Sequence, residues 1–148
     1  MSQDDADKLS EVIPKSLNSI IRKNQAEMQL EYASSQDLST INMVITEDYY
    51  KGSLWNAFIY KRIVSGSKQQ TLYLVGYMQE GRQTVAWHTS YLIGFDTEAM
   101  VVSTASGSLY HIESFAEGEA DAELLINVCA ILHRDGLGEH FGVPHFFY

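Results

Sequence analysis

The pattern of apolar and polar residues predicts that most of this chain is β-sheet. From residue 25 to 32 apolar side chains alternate with polar ones, which is the period-two pattern of a strand with one exposed face. Further strands, separated by short polar turns, are predicted at 41–46, 53–64, 71–78, 83–95, 99–104 and 109–113. The run 83–95 is either one strand or two strands broken at His88-Thr89-Ser90. We therefore expect about seven strands, mostly antiparallel, in a meander.

The strand predicted at 71–78 is apolar on both faces. The residues of one face are Leu72, Leu74 and Met78, and those of the other are Tyr73, Val75 and Tyr77. Such a strand is typical of the centre of a sheet that is covered on both sides. We expect the core on one side and a helix or a ligand surface on the other.

Two segments have the three- and four-residue spacing of amphipathic helices. The first is 4–23, where Pro14 marks a kink or a break. The second is Glu119–Arg134, which ends at Asp135-Gly136. The tail 137–148 is rich in aromatic residues, so we expect it to dock onto the domain.

These elements predict one α+β domain over residues 1–148. It has an N-terminal helix and a mostly antiparallel meander, curled into a half-barrel or a curved sheet. A C-terminal amphipathic helix and the docked tail complete it.

Composition and charge narrow the classes of function. The chain has 148 residues, of which 45% are hydrophobic, and a formal net charge of −9. Sequence-independent nucleic-acid binding and attachment to anionic membranes both require clustered cations, so neither is expected. A protein partner with a basic surface is favoured. The single cysteine, the polar N-terminus and the lack of a long apolar run indicate a cytoplasmic protein.

An acidic run and a group of aromatic residues are the candidate partner-binding residues. The acids are Glu117, Glu119, Asp121 and Glu123, and the aromatic residues are Tyr73, Tyr77 and Trp87. Carboxylates attract basic partners, and Tyr and Trp are enriched at interfaces. The alternative is that the acids cap the second helix and the aromatic side chains belong to the core.

A second group has residue types that bind metals. Cys129 and His133 lie four positions apart on the predicted helix, and His140 and His145 follow in the tail. The spacing matches no standard zinc pattern, and a core cysteine beside a histidine at a helix C-terminus accounts for it equally well. We therefore expect no metal and no cofactor.

A third group has the residue types of a hydrolase. It consists of Ser90, Ser106 or Ser108 with His88 or His111 and Asp96. Nucleophilic catalysis needs a serine, a base and an orienting carboxylate within hydrogen-bond reach. The chain lacks a Gly-x-Ser-x-Gly elbow, and Ser-Gly-Ser is ordinary for a hairpin turn, so no catalytic residues are assigned.

The segment from Trp87 to Tyr110 resembles one found in small uncharacterised proteins of phages and bacterial mobile elements. The resemblance is carried by Thr89-Ser90, Phe95-Asp96 and Thr104-Ala-Ser-Gly-Ser-Leu-Tyr110. It implies a short accessory protein that counters or regulates a host system, and it implies no catalytic residues.

The leading hypothesis is a small acidic binding protein of the inhibitor, immunity or anti-defence type, which acts by occupying a partner's surface. One alternative is a small metal-binding or hydrolase-like enzyme that uses the histidine and serine clusters. Another is a self-associating module, a homodimer in which tyrosine-rich strand faces meet across a two-fold axis.

Overall fold

The computed structural model of the chain describes residues 14–66 and 70–145. In these residues seven strands form one sheet that is not closed into a barrel. The strands are β1 (Met28–Tyr32), β2 (Gly52–Val64), β3 (Thr71–Glu80), β4 (Gln83–His88), β5 (Leu92–Asp96), β6 (Val101–Thr104) and β7 (Leu109–Ile112). The α-helices are α1 (Ser35–Ser39) and α2 (Ala122–Arg134), and a 3-10 helix spans Leu17–Ser19. The predicted α+β class is confirmed.

The long strand β2 organises the sheet. The strand order is β4-β3-β2-β7-β6-β5, and β1 also pairs with β2. All the pairings are antiparallel except that of β2 with β7, which is parallel. A simple meander is therefore the wrong topology, because β7 returns to the edge of β2 instead of staying beside β6 alone. Of the two alternatives for residues 83–95, the structure has two strands broken at His88-Thr89-Ser90, since β4 ends there and β5 follows.

The sheet is strongly curled. Strands β4 and β7 are separated in the order by β3 and β2, which would place them roughly 14 Å apart in a flat sheet. Nevertheless Nε1 of Trp87 on β4 donates to the hydroxyl of Tyr110 on β7 over 3.1 Å. Leu74 of β3 and Phe95 of β5 also belong to one buried apolar cluster, although their strands are far apart in the order. The sheet therefore curls around the apolar core on its concave face.

Two apolar cores lie on opposite faces of β2 and β3. The convex side holds Val75 with the buried face of α2, and Tyr73 and Tyr77 pack against it. The concave side holds Leu72, Leu74 and Met78 with residues of β5, β6 and β7. The prediction that residues 71–78 form a central strand covered twice is confirmed.

The prediction of a strand at residues 41–46 is wrong. The loop expected before it contains α1, which begins with a capping box: the Ser34 hydroxyl accepts from the Asp37 amide, and Asp37 Oδ2 accepts from the Ser34 amide. Residues 41–46 form no strand. One isolated parallel bridge, Asn42 with Phe95, joins them to β5, and Asp96 Oδ2 also accepts from the Ile45 backbone amide over 3.0 Å.

The described part of the predicted N-terminal helix is not α-helical. Only Leu17–Ser19 forms a single 3-10 turn, in which the Ser19 hydroxyl donates to the Ser16 carbonyl over 2.7 Å. Such local side-chain bonds compete with the helical hydrogen-bond pattern. Leu17, Ile20 and Ile21 are buried as an apolar stripe requires. The rest of the prediction, residues 4–13, lies outside the described residues.

The C-terminal helix and tail largely match the prediction. Helix α2 begins at Ala122 rather than Glu119, and Gly136 follows it with φ +81°, a conformation that glycine adopts without strain. Phe141 and Val143 of the tail are buried against the 3-10 turn and α2, whereas residues 146–148 lie outside the described part. No helix among the described residues has both the length and the apolar character needed to cross a lipid bilayer.

Candidate functional site

Residues 113–123, here called the acidic segment, run from the end of β7 into the first turn of α2 and contain five exposed carboxylic acids. These are Glu113, Glu117, Glu119, Asp121 and Glu123. Among the described residues, Glu113, Glu117 and Glu119 form no salt bridge. The helix starts later than predicted, so Glu117 and Glu119 are not part of its first turn and do not serve to solvate an outer helix face.

A β-bulge in β2 anchors the acidic segment. The register of β2 against β3 shifts between Trp55 and Phe58, and Asn56 takes a left-handed conformation with φ +51°. Asparagine tolerates this conformation better than most residues. The backbone amide of Asn56 donates to the Ser114 hydroxyl over 2.9 Å, and the backbone amide of Ala57 donates to the Ser114 carbonyl over 3.0 Å. The bulge thus turns backbone donors outward to hold the segment.

Asp121 is the point where the acidic segment meets the sheet. Its Oδ2 accepts from the Tyr77 hydroxyl and from Nδ2 of Asn56, both over 3.0 Å. Burial and the neighbouring carboxylates of Asp121 and Glu123 raise the pKa of Tyr77, so the phenol stays protonated and donates. Asp121 is the N-cap residue of α2, but its side chain caps no helical amide and bonds instead to Tyr77 and Asn56.

The structure therefore unites part of the predicted set. Tyr77 joins the acids at Asp121, and Trp55 lies beside Tyr77 with ring centroids 6.3 Å apart. The sequence analysis missed Asn56, Trp55 and Ser114. The only signal for Asn56 was an asparagine inside an otherwise apolar strand, which is a typical mark of a bulge or a left-handed residue.

Tyr73 and Trp87 do not join the acidic segment. Tyr73 stacks on Tyr60 with centroids 5.4 Å apart, and the Arg62 guanidinium lies 4.1 Å from the centre of its ring. Trp87 is bonded to Tyr110 on the concave side. Tyr73 thus contacts side chains of its own chain, and both Tyr73 and Tyr77 are partly buried.

The four residues of the suggested metal site do not converge. Cys129 is fully buried, and burial raises the pKa of its thiol to about 12, as expected for a core cysteine. Nε2 of His140 lies 2.6 Å from Glu27 Oε2. The rings of His133 and His145 are in contact at 4.7 Å. Within residues 14–66 and 70–145 no group of three or more His, Cys, Asp or Glu side chains is arranged to hold a metal ion.

The suggested hydrolase set is also dispersed. The Ser90 hydroxyl bonds to the Ser106 hydroxyl over 3.1 Å, with no histidine contact among the described hydrogen bonds of either serine. Asp96 accepts from the backbone amides of residues 45, 98 and 99, which lowers the pKa of its carboxyl. His111 stacks on Tyr50 with centroids 6.0 Å apart. The carboxylate orients a turn and not a base.

The sequence analysis also missed a buried polar network that contains His88. Nε2 of His88 lies 2.6 Å from the Tyr60 hydroxyl, and Nη2 of Arg62 donates to the same hydroxyl over 3.3 Å. Nη1 of Arg62 pairs with Asp135 Oδ2 over 3.0 Å. Tyr60 is fully buried, and the network links β2, β4 and the end of α2.

No protein-family model, no curated protein and no solved structure matches this chain.

Proposed function

We propose that this chain is a small acidic binding protein that occupies a basic surface of a partner protein. The observation that supports the proposal is the acidic segment, whose exposed carboxylates lack ion pairs with described residues and which is held in place at Asp121 by Tyr77 and Asn56. Exposed charges of one sign steer a partner of opposite charge and raise the rate of association.

Anchoring makes these charges more useful for binding. A flexible acidic loop loses conformational freedom when it binds, and this loss weakens the complex. Here backbone bonds to the bulge in β2 and side-chain bonds to Asp121 already order the segment. The ordered segment holds Asp121 at Tyr77, which lies beside Trp55, and this combines charge with aromatic contact area.

The proposal includes a biological class and a compartment. The resemblance of residues 87–110 to small phage and mobile-element proteins favours an inhibitor, an immunity factor or an anti-defence protein. The lone cysteine is reduced and buried in α2, as suits the cytoplasm.

The experiment compares two charge variants that remove the same kind of group. One is E117Q/E119Q/E123Q, and the control is E80Q/E139Q, which neutralises exposed acids on the β3–β4 turn and on the tail beyond α2. Each purified protein is used as bait in lysate of the cell that produces the chain. The association rate of the captured partner is then measured over a salt series.

The wild type and the control variant should capture the same protein with an association rate that falls steeply with salt. The triple variant should associate more slowly and with a flatter salt dependence, since screening acts on the charges that it lacks. Equal association rates for the triple variant and the wild type at every salt concentration would refute the proposal.

A further inference from the structure

The pairing of β2 leaves a gap along one of its edges. Residues 52–54 of β2 pair with β7, and residues 60–64 pair with β1 on the same side. Between them no named strand pairs with β2 on this side. The acidic segment is bonded there through the Ala57 amide to the Ser114 carbonyl and the Ala116 amide to the Ala57 carbonyl, and the Ala33 amide donates to the Ile59 carbonyl over 2.8 Å. The gap is where the acidic segment crosses the sheet.

An apolar groove of about 270 Å³ fills this gap. Its walls are Tyr32 and Ala33 of the β1 end, Leu38 of α1, residues 57–59 of β2, and residues 115, 116 and 118 of the acidic segment. The Tyr32 and Phe58 rings meet edge to face at 5.7 Å. Phe115 is 40% exposed and Tyr32 37% exposed, so two aromatic side chains are open to water at one concave place.

The volume of the groove lies just below the range that is usual for small-molecule sites, and it suits a single side chain. Sites for small molecules usually measure roughly 300–1,000 Å³. One large apolar side chain of a partner would cover the exposed faces of Phe115 and Tyr32 and remove apolar surface from water.

The charge around the groove has one sign. Glu113, Glu117 and Glu119 flank Phe115 in the chain, and none of them forms an ion pair with a described residue. The nearby cation, Lys61, is already paired with Asp37 at 3.1 Å and Glu31 at 3.6 Å. The Tyr32 hydroxyl accepts from the Ala120 amide over 3.2 Å and so joins the groove wall to the acidic segment.

From this complementarity we infer that the groove binds a large apolar side chain presented by a cationic segment of the partner protein, with Lys or Arg next to that side chain. The inference rests on the proposed function and adds the element of specificity. Charge brings the partner to the acidic segment, and the groove selects a segment with an apolar anchor between its cations.

A larger depression of about 410 Å³ lies at Tyr49, Tyr50 and Ser108. Its lining includes both Glu47 and Lys51, and Lys51 also lies over the Trp87 ring at 5.2 Å. Its charge is mixed, and therefore it does not specify the charge of an occupant.

Two synthetic peptides test the inference. Both consist of lysine and alanine and differ at one central position, which is Phe in one peptide and Ala in the other. Binding to the full chain is measured by titration calorimetry. The binding site is mapped by the changes in backbone amide chemical shifts in NMR spectra. The variants are F115A, the conservative F115L, the control I93A on the exposed face of β5, and E117Q/E119Q/E123Q. Thermal unfolding confirms that each variant is folded, and L38A replaces F115A if that variant is not.

The wild type and I93A should bind the Phe peptide about tenfold more tightly than the Ala peptide, which corresponds to burial of one aromatic side chain. F115A should lose this preference and F115L should keep most of it. The shifts of the Phe peptide should map to Tyr32, Leu38 and residues 115–118.

Equal affinity of the wild type for the two peptides would overturn the assignment of the groove as a binding site. If the triple variant then binds both peptides more weakly than the wild type, the proposed function still holds. Equal binding of both peptides by the triple variant and the wild type would overturn the proposed function itself. Shifts centred on Tyr49 and Ser108, or dimerisation of the wild type that F115A abolishes, would also overturn the groove assignment.

Discussion

The hydroxyl oxygen of Tyr60 lies 2.6 Å from Nε2 of His88, in a hydrogen bond that joins β2 to β4. Nδ1 of His88 lies 2.7 Å from the Thr89 carbonyl, which only accepts, so Nδ1 carries the proton and Nε2 accepts from Tyr60. Burial, and then the positive charge of Arg62, lower the pKa of His88 to about 4. The imidazole is therefore neutral in the folded chain at neutral pH.

This pair predicts a loss of stability on mild acidification. The unfolded state takes up a proton at His88 near pH 6.5 and the folded state only near pH 4, so the free energy of unfolding falls between these values. A shift of this size corresponds to roughly 3 kcal/mol. Urea unfolding of the wild type and of H88Q at a series of pH values measures it.

The difference between the two proteins is the quantity that matters. In H88Q the free energy of unfolding should change less between pH 6.5 and 4 than in the wild type. The control H140Q alters an exposed histidine and should keep the wild-type loss. An H88Q curve parallel to that of the wild type would show that His88 does not titrate as stated.

Gly76 on β3 lies where another backbone approaches closely. A Cβ at this position would be 3.0 Å from Cβ of Ala57, 3.1 Å from Cβ of Leu54 and 3.2 Å from the Trp55 carbonyl oxygen. These atoms belong to the bulged part of β2 and cannot move independently. G76A should lower the free energy of unfolding by about 1–3 kcal/mol, as measured by chemical denaturation.

G94A is the matched control. Its Cβ would meet only the side chain of Met43, which is 46% exposed and able to move. It should therefore destabilise the chain less than G76A does. If G94A is the more harmful change, the close packing of β3 on the bulge is not the limiting contact.

The left-handed conformation of Asn56 predicts a difference between two substitutions. In N56V a β-branched side chain must adopt φ near +51°, so a loss of about 1–3 kcal/mol is expected. In N56G the backbone is unstrained and only the exposed bond to Asp121 is lost, which should change stability by less than about 1 kcal/mol.

Amide hydrogen exchange shows where the strain acts. The amides of Ala57 and Ala116 are bonded between the bulge and the acidic segment, so they should exchange faster in N56V than in N56G. Equal exchange and equal stability of the two variants would mean that the bulge does not hold the segment.

The charged residues of the candidate surface could be predicted from the sequence, whereas the contacts that hold them in place could not. The acids at 117–123 and Tyr77 were picked from local composition, and the structure places Tyr77 at Asp121. Tyr73 belongs to the same face of β3 but packs with Tyr60 and Arg62, because α2 covers that part of the sheet. Period-two spacing assigns a face to a side chain, whereas the neighbour across that face is set by long-range packing.

The contacts of Arg62 are likewise only partly predictable from local sequence. Its hydrogen bond to Tyr60 is local within β2, whereas its ion pair with Asp135 depends on β2 meeting the end of α2. The capping box at Ser34 and Asp37 is the opposite case. It is a local pattern that is visible in the sequence, and it would have predicted α1 if it had been preferred over a loop.

The sequence by itself determined the α+β class, most of the strands, the doubly covered β3 and helix α2. All of these depend on periodicity and turn residues, which act over a few positions. Only the tertiary structure decided that β7 pairs in parallel with β2 and that a bulge at Asn56 anchors the acidic segment. It also decided that a groove opens between β1 and β7. These features join residues about 60 or more positions apart, and their free energy comes from pairing and burial that no local pattern records.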